Sequence, residues 1–136
     1  MQGTGRPQNV NPEQLEPARG FSHATVAGDT VWLGGQIGTD ATGMLVEPGD
    51  VVAQFARAIR NVSIALDAAG FKPSDTVKLT YYVTDLNLYR ENLPAIGSAY
   101  REVFGHHYPA TTLIQVSSLF NPNALVEIDA VAVRQP

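Results

Sequence analysis

The chain contains no cysteine, which excludes disulfides, thiol nucleophiles and zinc sites built on thiolate. Lysine is scarce too: Lys72 and Lys78 are the two present, and nine basic residues face thirteen acidic ones for a net charge of −4. No basic run is left to track a phosphate backbone, so nucleic acid is not expected as a partner. No apolar run is long enough to span a bilayer, which argues against a membrane partner. The opening stretch MQGTGRPQNVNPEQLEPARG lacks the apolar region of a signal peptide, so a cytoplasmic location is expected. What is present is 136 residues, 44% hydrophobic and 16% charged. That is the material of one globular domain, able to bury roughly two-thirds of its unfolded surface.

Residues 1–19 are polar, rich in proline and glycine, and without period. They read as an N-terminal arm, ordered only if something docks it, leading into a single domain over 20–136. The segment FSHATVAGDTVWLGGQI reads as a hairpin with strands near 21–26 and 30–37 around a turn at Ala27-Gly28-Asp29. Residues 44–46 form a candidate short extended piece. The period then changes: Val52, Phe55, Ile59, Val62, Leu66 and Ala69 trace an amphipathic helix, with Asp50 as N-cap and Gly70 just past its end.

The stretch TVKLTYYVTD alternates strictly, with Val77, Leu79, Tyr81 and Val83 directed to one side and Lys78, Thr80, Tyr82 and Thr84 to the other. Pro94 cannot sit in a helix interior, so residues 86–92 form a separate turn and the second main helix starts at Pro94. Its inward face carries Ile96, Tyr100 and Val103 or Phe104, and Gly105 ends it. HYPATTLIQV and LVEIDAVAV are the last two strands. Two helices separated by strands predict one sheet with both helices on a single face. The other face would carry Lys78, Thr80, Tyr82, Thr84, Glu127 and Asp129, a composition that fits either a solvated surface or an oligomer interface.

Several short motifs invite chemistry. His106-His107 are adjacent, point apart and have no third ligand at metal spacing, so a solvated helix end is the simpler reading and no metal is expected. Ser22-His23 fails as a catalytic pair for the same reason of direction. Gly34-Gly35-Gln36 is too short to carry a function by itself; its glycines suit close backbone approach, with N–H groups left for a ligand or neighbouring chain. Asn61-Val62-Ser63 matches a glycosylation acceptor but falls in mid-helix. Glu127 is harder to dismiss. An acid between Val126 and Ile128 in a strand is either an exposed strand acid or a half-buried base able to hold a water.

Taken together, GFSHATVAGDTVWLGGQIGTD, VAQFARAIRNVSIALDAAG, DTVKLTYYVTDLN, YPATTLIQV and ALVEIDAVAV resemble the RidA/YjgF family, from about Gly20 to Val133 and in the family's order. The resemblance implies an α+β subunit with a chorismate-mutase-like mixed sheet. It also implies a homotrimer whose sheets line a central barrel, with small-molecule clefts between subunits. It further implies cofactor-free hydrolysis of reactive imines and enamines such as 2-aminoacrylate. Carried over residue by residue, Glu127 would position the water, the Gly35 N–H would contact the ligand and Phe21 would close the cleft, lacking the hydroxyl of the usual tyrosine. The carboxylate-binding arginine of the family falls on Thr111. Leu113 replaces a smaller residue, and Gly97 stands where a cleft asparagine is common, in a helix entry about four residues longer than usual.

A guanidinium makes two charge-assisted bonds to a carboxylate where threonine offers one neutral donor, a loss of about 1.5–3 kcal/mol. Arg19 and Arg57 are the substitutes weighed for that charge. Three functions follow: a hydrolase-like enzyme acting on another small molecule with Glu127 as base, a non-catalytic metabolite-binding or regulatory trimer, or an imine deaminase that works despite Thr111. The endoribonuclease activity also associated with the family sits poorly with the acidic charge. Thr111 and Glu127 are expected on adjacent strands facing one cavity, with Gly35 and Phe21 at its mouth and the Glu127 pKa raised.

Overall fold

The computed structural model describes residues 6–135. One six-stranded sheet carries the fold: β1 (Gln8–Val10), β2 (Ala24–Ala27), β3 (Thr30–Leu33), β4 (Thr76–Val83), β5 (Ala110–Gln115) and β6 (Val126–Val133), in the spatial order β1-β2-β3-β6-β4-β5. All neighbours are antiparallel except β4 and β5, which run parallel. That parallel pair needs a crossover, supplied by α2 (Leu86–Glu91) and α3 (Leu93–Phe104). The long helix α1 (Val51–Ala68) leads from the hairpin half towards β4.

The helix α1 forms where its stripe predicts. Asp50 caps it by accepting from the Ala53 N–H at 3.0 Å, and Gly70 follows the C-cap with φ 86°. Its buried face of Phe55, Ile59, Val62 and Leu66 packs on the sheet beside Ile96, Tyr100 and Phe104 of α3. Leu79, Tyr81 and Val83 of β4 and Val126, Ile128 and Ala130 of β6 receive them. Phe55 is fully buried and meets the Tyr81 and Tyr89 rings edge-on at 5.5 and 6.4 Å. Both main helices therefore lie on one face, as an α+β fold of this pattern requires. Among the described residues no helix is long and apolar enough to cross a membrane.

Two buried amides tie the helix to loops. Gln54 accepts from the Leu125 N–H at 2.8 Å, just before β6. Asn61 donates to the carbonyls of Ile37 and Thr39 at 3.0 and 2.8 Å, which takes its side chain out of reach of any glycosylation chemistry.

Several details differ from the sequence reading. The N-terminal arm docks on the domain itself: residues 8–10 pair with β2, and Leu15 is buried in the core. Residues 44–46 make an isolated bridge, Leu45 to Thr39, rather than a strand. Residues 86–91 form a short helix capped by Asp85 rather than a turn, and Pro94 enters α3 near its start, where no N–H is needed. Val77 does not face the core. A register shift between Thr76 and Lys78 turns Thr76 inward and leaves Val77 47% exposed, as a β-bulge does.

Candidate functional site

Two clusters of the candidate residues form, on opposite faces of the sheet. The first is built where the β2–β3 hairpin meets the start of β6. Gly34 donates to the His23 carbonyl at 2.9 Å, and Gln36 and Ile128 exchange backbone bonds at 2.7 and 2.9 Å, which carries the Gly34-Gly35 step across to β6. Gly35 thereby lies directly against Glu127. A methyl group built on Gly35 would overlap the Glu127 side chain, so the carboxylate occupies the space that glycine leaves. The exposed Gly35 N–H makes no hydrogen bond among the described residues.

Phe21 stands at the same end of the hairpin, half exposed, with its ring edge-on to His23 at 5.2 Å. His23 is buried and fixed: Nε2 contacts the Glu16 carbonyl at 2.7 Å, and Nδ1 meets the Gln36 amide at 3.1 Å. Since the Gln36 Nε2 can only donate, Nδ1 accepts and the ring proton sits on Nε2, pointing at Glu16. This chain of contacts ties the N-terminal segment to the glycine step.

Glu127 is half-buried, and its pKa is raised above the ordinary 4.5, first by desolvation and then by repulsion from Asp129. Asp129 in turn accepts from the Tyr82 hydroxyl at 2.9 Å, and burial followed by this bond holds the Tyr82 pKa up. The same face carries Lys78, whose ammonium donates to Thr112 at 2.6 Å.

The second cluster lies on the helix side. In the parallel register Thr111 is opposite Leu79 and Leu113 opposite Tyr81, so both share the face of the buried core. Thr111 and Gly97 line a cavity of about 250 Å³ walled by rings, among them Tyr81, Tyr100 and Tyr108, with Arg101 beside them. The Thr111 hydroxyl is turned back onto the Pro109 carbonyl at 2.9 Å. Leu113 is partly buried against the core rather than among the cavity's lining residues.

Thr111 and Glu127 are thus not on adjacent strands, since β4 lies between β5 and β6. Within one chain they also face opposite ways, because Glu127 pairs with Tyr82 and Thr111 with Leu79. Only a second chain can bring the two clusters into one cleft.

The family model described as Endoribonuclease L-PSP matches residues 11–134. The chain belongs to the RidA/YjgF family. It is 35% identical over 117 residues to the 2-iminobutanoate/2-iminopropanoate deaminase of Capra hircus, covering 85% of this chain and 81% of that one. A RutC family protein of Pyrococcus horikoshii is 33% identical over 121 residues, 88% of this chain and 91% of its own. Among solved structures, a Thermotoga maritima protein described as a putative endoribonuclease superposes with a TM-score of 0.84 at 31% identity, covering 95% and 98% of the two chains. The E. coli protein TdcF with bound serine gives 0.81 at 30% identity, covering 94% and 99%.

Against this RidA/YjgF background, the guanidinium on the helix side is the residue that sequence reasoning missed. Arg57, weighed as a substitute, is engaged elsewhere, donating from Nε to the Thr39 carbonyl at 3.0 Å. Arg101 instead shares the cavity with Thr111. The signal was its spacing: four residues after Gly97, on the same side of α3. Of the two adjacent histidines, His107 bonds the Thr76 carbonyl at 2.8 Å and His106 tilts against Tyr108, and no group of three potential metal ligands occurs among the described residues.

Proposed function

We propose that the protein acts in the cytoplasm as a homotrimer binding a small metabolite in clefts between subunits. Each cleft joins the Glu127–Gly35–Phe21 cluster of one subunit to the Thr111–Gly97 cluster of its neighbour. The observation that carries this reading is Glu127 pressed against Gly35: a half-buried acid with a raised pKa, beside a backbone N–H with no partner among the described residues. Such a pair can hold a water between a base and a donor aimed at a ligand.

The chemistry is hydrolytic. Glu127 takes a proton from water as the oxygen bonds to an imine carbon and gives it to the nitrogen, then carries the remaining hydroxyl proton to that nitrogen as the C–N bond breaks and the C=O bond forms. For an imine this yields a carbonyl compound and ammonia, with no cofactor. The related 2-iminobutanoate/2-iminopropanoate deaminase supports the reaction class, and the serine bound to TdcF supports a small polar ligand. Thr111 limits the substrate. It offers no charge to a carboxylate at the head of β5, so free 2-imino acids such as 2-aminoacrylate are poor substrates.

The test generates 2-aminoacrylate with a serine dehydratase and compares ammonia release by this protein and by an arginine-bearing relative. Turnover at least tenfold below that relative is expected, and equal turnover defeats the exclusion. Hydrolysis of uncharged imines no faster with the protein than without it would leave the second reading, a metabolite-binding trimer without chemistry.

A further inference from the structure

We infer that Arg101 is the ligand's carboxylate anchor and that the ligand is a carboxylic acid with an aromatic or broad apolar body. This rests on the proposed cleft and names the class of molecule it takes.

Among the cavity's lining residues Arg101 alone is charged. Its surroundings are apolar and aromatic: Phe55 and Tyr81 at the floor, Tyr100 and Tyr108 at the side. The Tyr100 and Tyr108 rings stack at 5.5 Å and 13°, and Tyr108 is 61% exposed, so a flat face is offered beside the guanidinium. Tyr89 and Tyr100 do not compete as anions. Burial pushes Tyr89 and Tyr100 up to about 12, and the Tyr100 hydroxyl is already committed to the His107 carbonyl at 2.6 Å.

Gly97 explains how an arginine on an exposed helix face comes to lie there. A Cβ at that position would sit 3.2 Å from an Arg101 guanidinium nitrogen. With glycine one turn earlier, the guanidinium lies close along α3 while the residue stays exposed at the mouth of the cavity. Its one hydrogen bond among the described residues is a 3.5 Å contact to the Ser98 hydroxyl, at the limit of such a bond. The fork of N–H donors is therefore unspent and matches a carboxylate in two parallel bonds. The charge stands on α3 rather than at the head of β5, so it serves an acid long enough to reach it and not a short 2-imino acid held at Thr111.

An acid held there lies over the aromatic wall, so the probe must carry a ring. Binding of 3-phenylpropanoate, 3-phenylpropanamide and propanoate to the full-length protein is measured by calorimetry. The phenyl acid should bind at least about tenfold more tightly than its amide and than propanoate. Arg101→Gln should remove the preference for acid over amide, Arg101→Lys should keep part of it, and Gly97→Val should weaken it by displacing the guanidinium. Arg60→Gln, which removes an equal charge from an exposed site on α1, should change nothing. Equal binding of acid and amide, no binding of any acid at millimolar concentration, or a preference that survives Arg101→Gln each overturns the assignment. Light scattering and the effect of Glu127→Gln on turnover report on the trimeric cleft separately. Arg101-dependent acid binding by a monomer leaves this inference standing while removing the intersubunit site.

Discussion

At the residue scale, Glu127 combines the proposed place of the base with a stability penalty. Its folded pKa lies above the ordinary 4.5, so between the two values the folded state holds more protons than the unfolded one. Stability is then intact below about pH 4.5 and declines as pH rises through the folded value. Glu127→Gln should leave the melting temperature unchanged at pH 4 and raise it at pH 7. The gain should be under about 1 kcal/mol, because half the side chain stays wet and solvent screens it. A rise of equal size at both pH values would mean that charge is not the cause. Gly35 gives a companion test. Gly35→Ala should destabilise by about 1–3 kcal/mol through overpacking, and by almost nothing when Glu127 is already alanine. Additive losses in that double-mutant cycle, followed by urea unfolding, would contradict the contact. Glu127 was legible in sequence as an acid among apolar strand residues. Its opposition to Thr111 was not, since that depends on β4 being interposed.

At the scale of elements, what could be read was what a side-chain pattern encodes. The stripe and caps of α1 and the alternation of β6 are properties of one segment, and both appear as expected. Asp50→Ala should cost about 1 kcal/mol in thermal unfolding, since the Ala53 N–H loses its acceptor; an unchanged midpoint would show that water replaces the cap. What escaped was set between segments. Strand β1 is held by main-chain bonds to β2, and Gln8-Asn9-Val10 carries no pattern to announce it. The Val77 bulge is a matter of register with β6, which alternation along β4 alone cannot reveal. Arg101 escaped for a related reason: its role depends on the space left by Gly97 and on a cavity shared between helix and sheet.

At the scale of the molecule, the uncovered sheet face bears Trp32 at 48% exposure together with Tyr82, Thr80 and Ile114. Burial of that face against copies of itself would favour the proposed trimer, which light scattering at micromolar concentration should register; a stable monomer would remove the shared cleft. Assembly also predicts how Thr111→Arg behaves. Since Thr111 and Glu127 diverge within a chain, the new guanidinium can lower the Glu127 pKa only across a subunit boundary. Carbon NMR titration of Glu127 should therefore shift downward in the assembled variant and stay put under conditions that hold it monomeric. A shift in the monomer would be incompatible with the strand register.

The place of β6 in the sheet has a consequence for the birth of the protein. It is the last of the described strands in sequence, yet it lies between β3 and β4 and, among the described residues, is the one strand that joins the β1–β2–β3 half to the β4–β5 half. While the ribosome is still adding residues before Val126, the nascent chain has two sheet fragments with open edges and a helix whose apolar face has lost much of its bed. Domain-by-domain folding during synthesis offers this chain no intermediate shelter. The two halves can therefore close on each other only once Val126–Val133 has left the ribosome, and truncation before Val126 would remove the seam on which they meet.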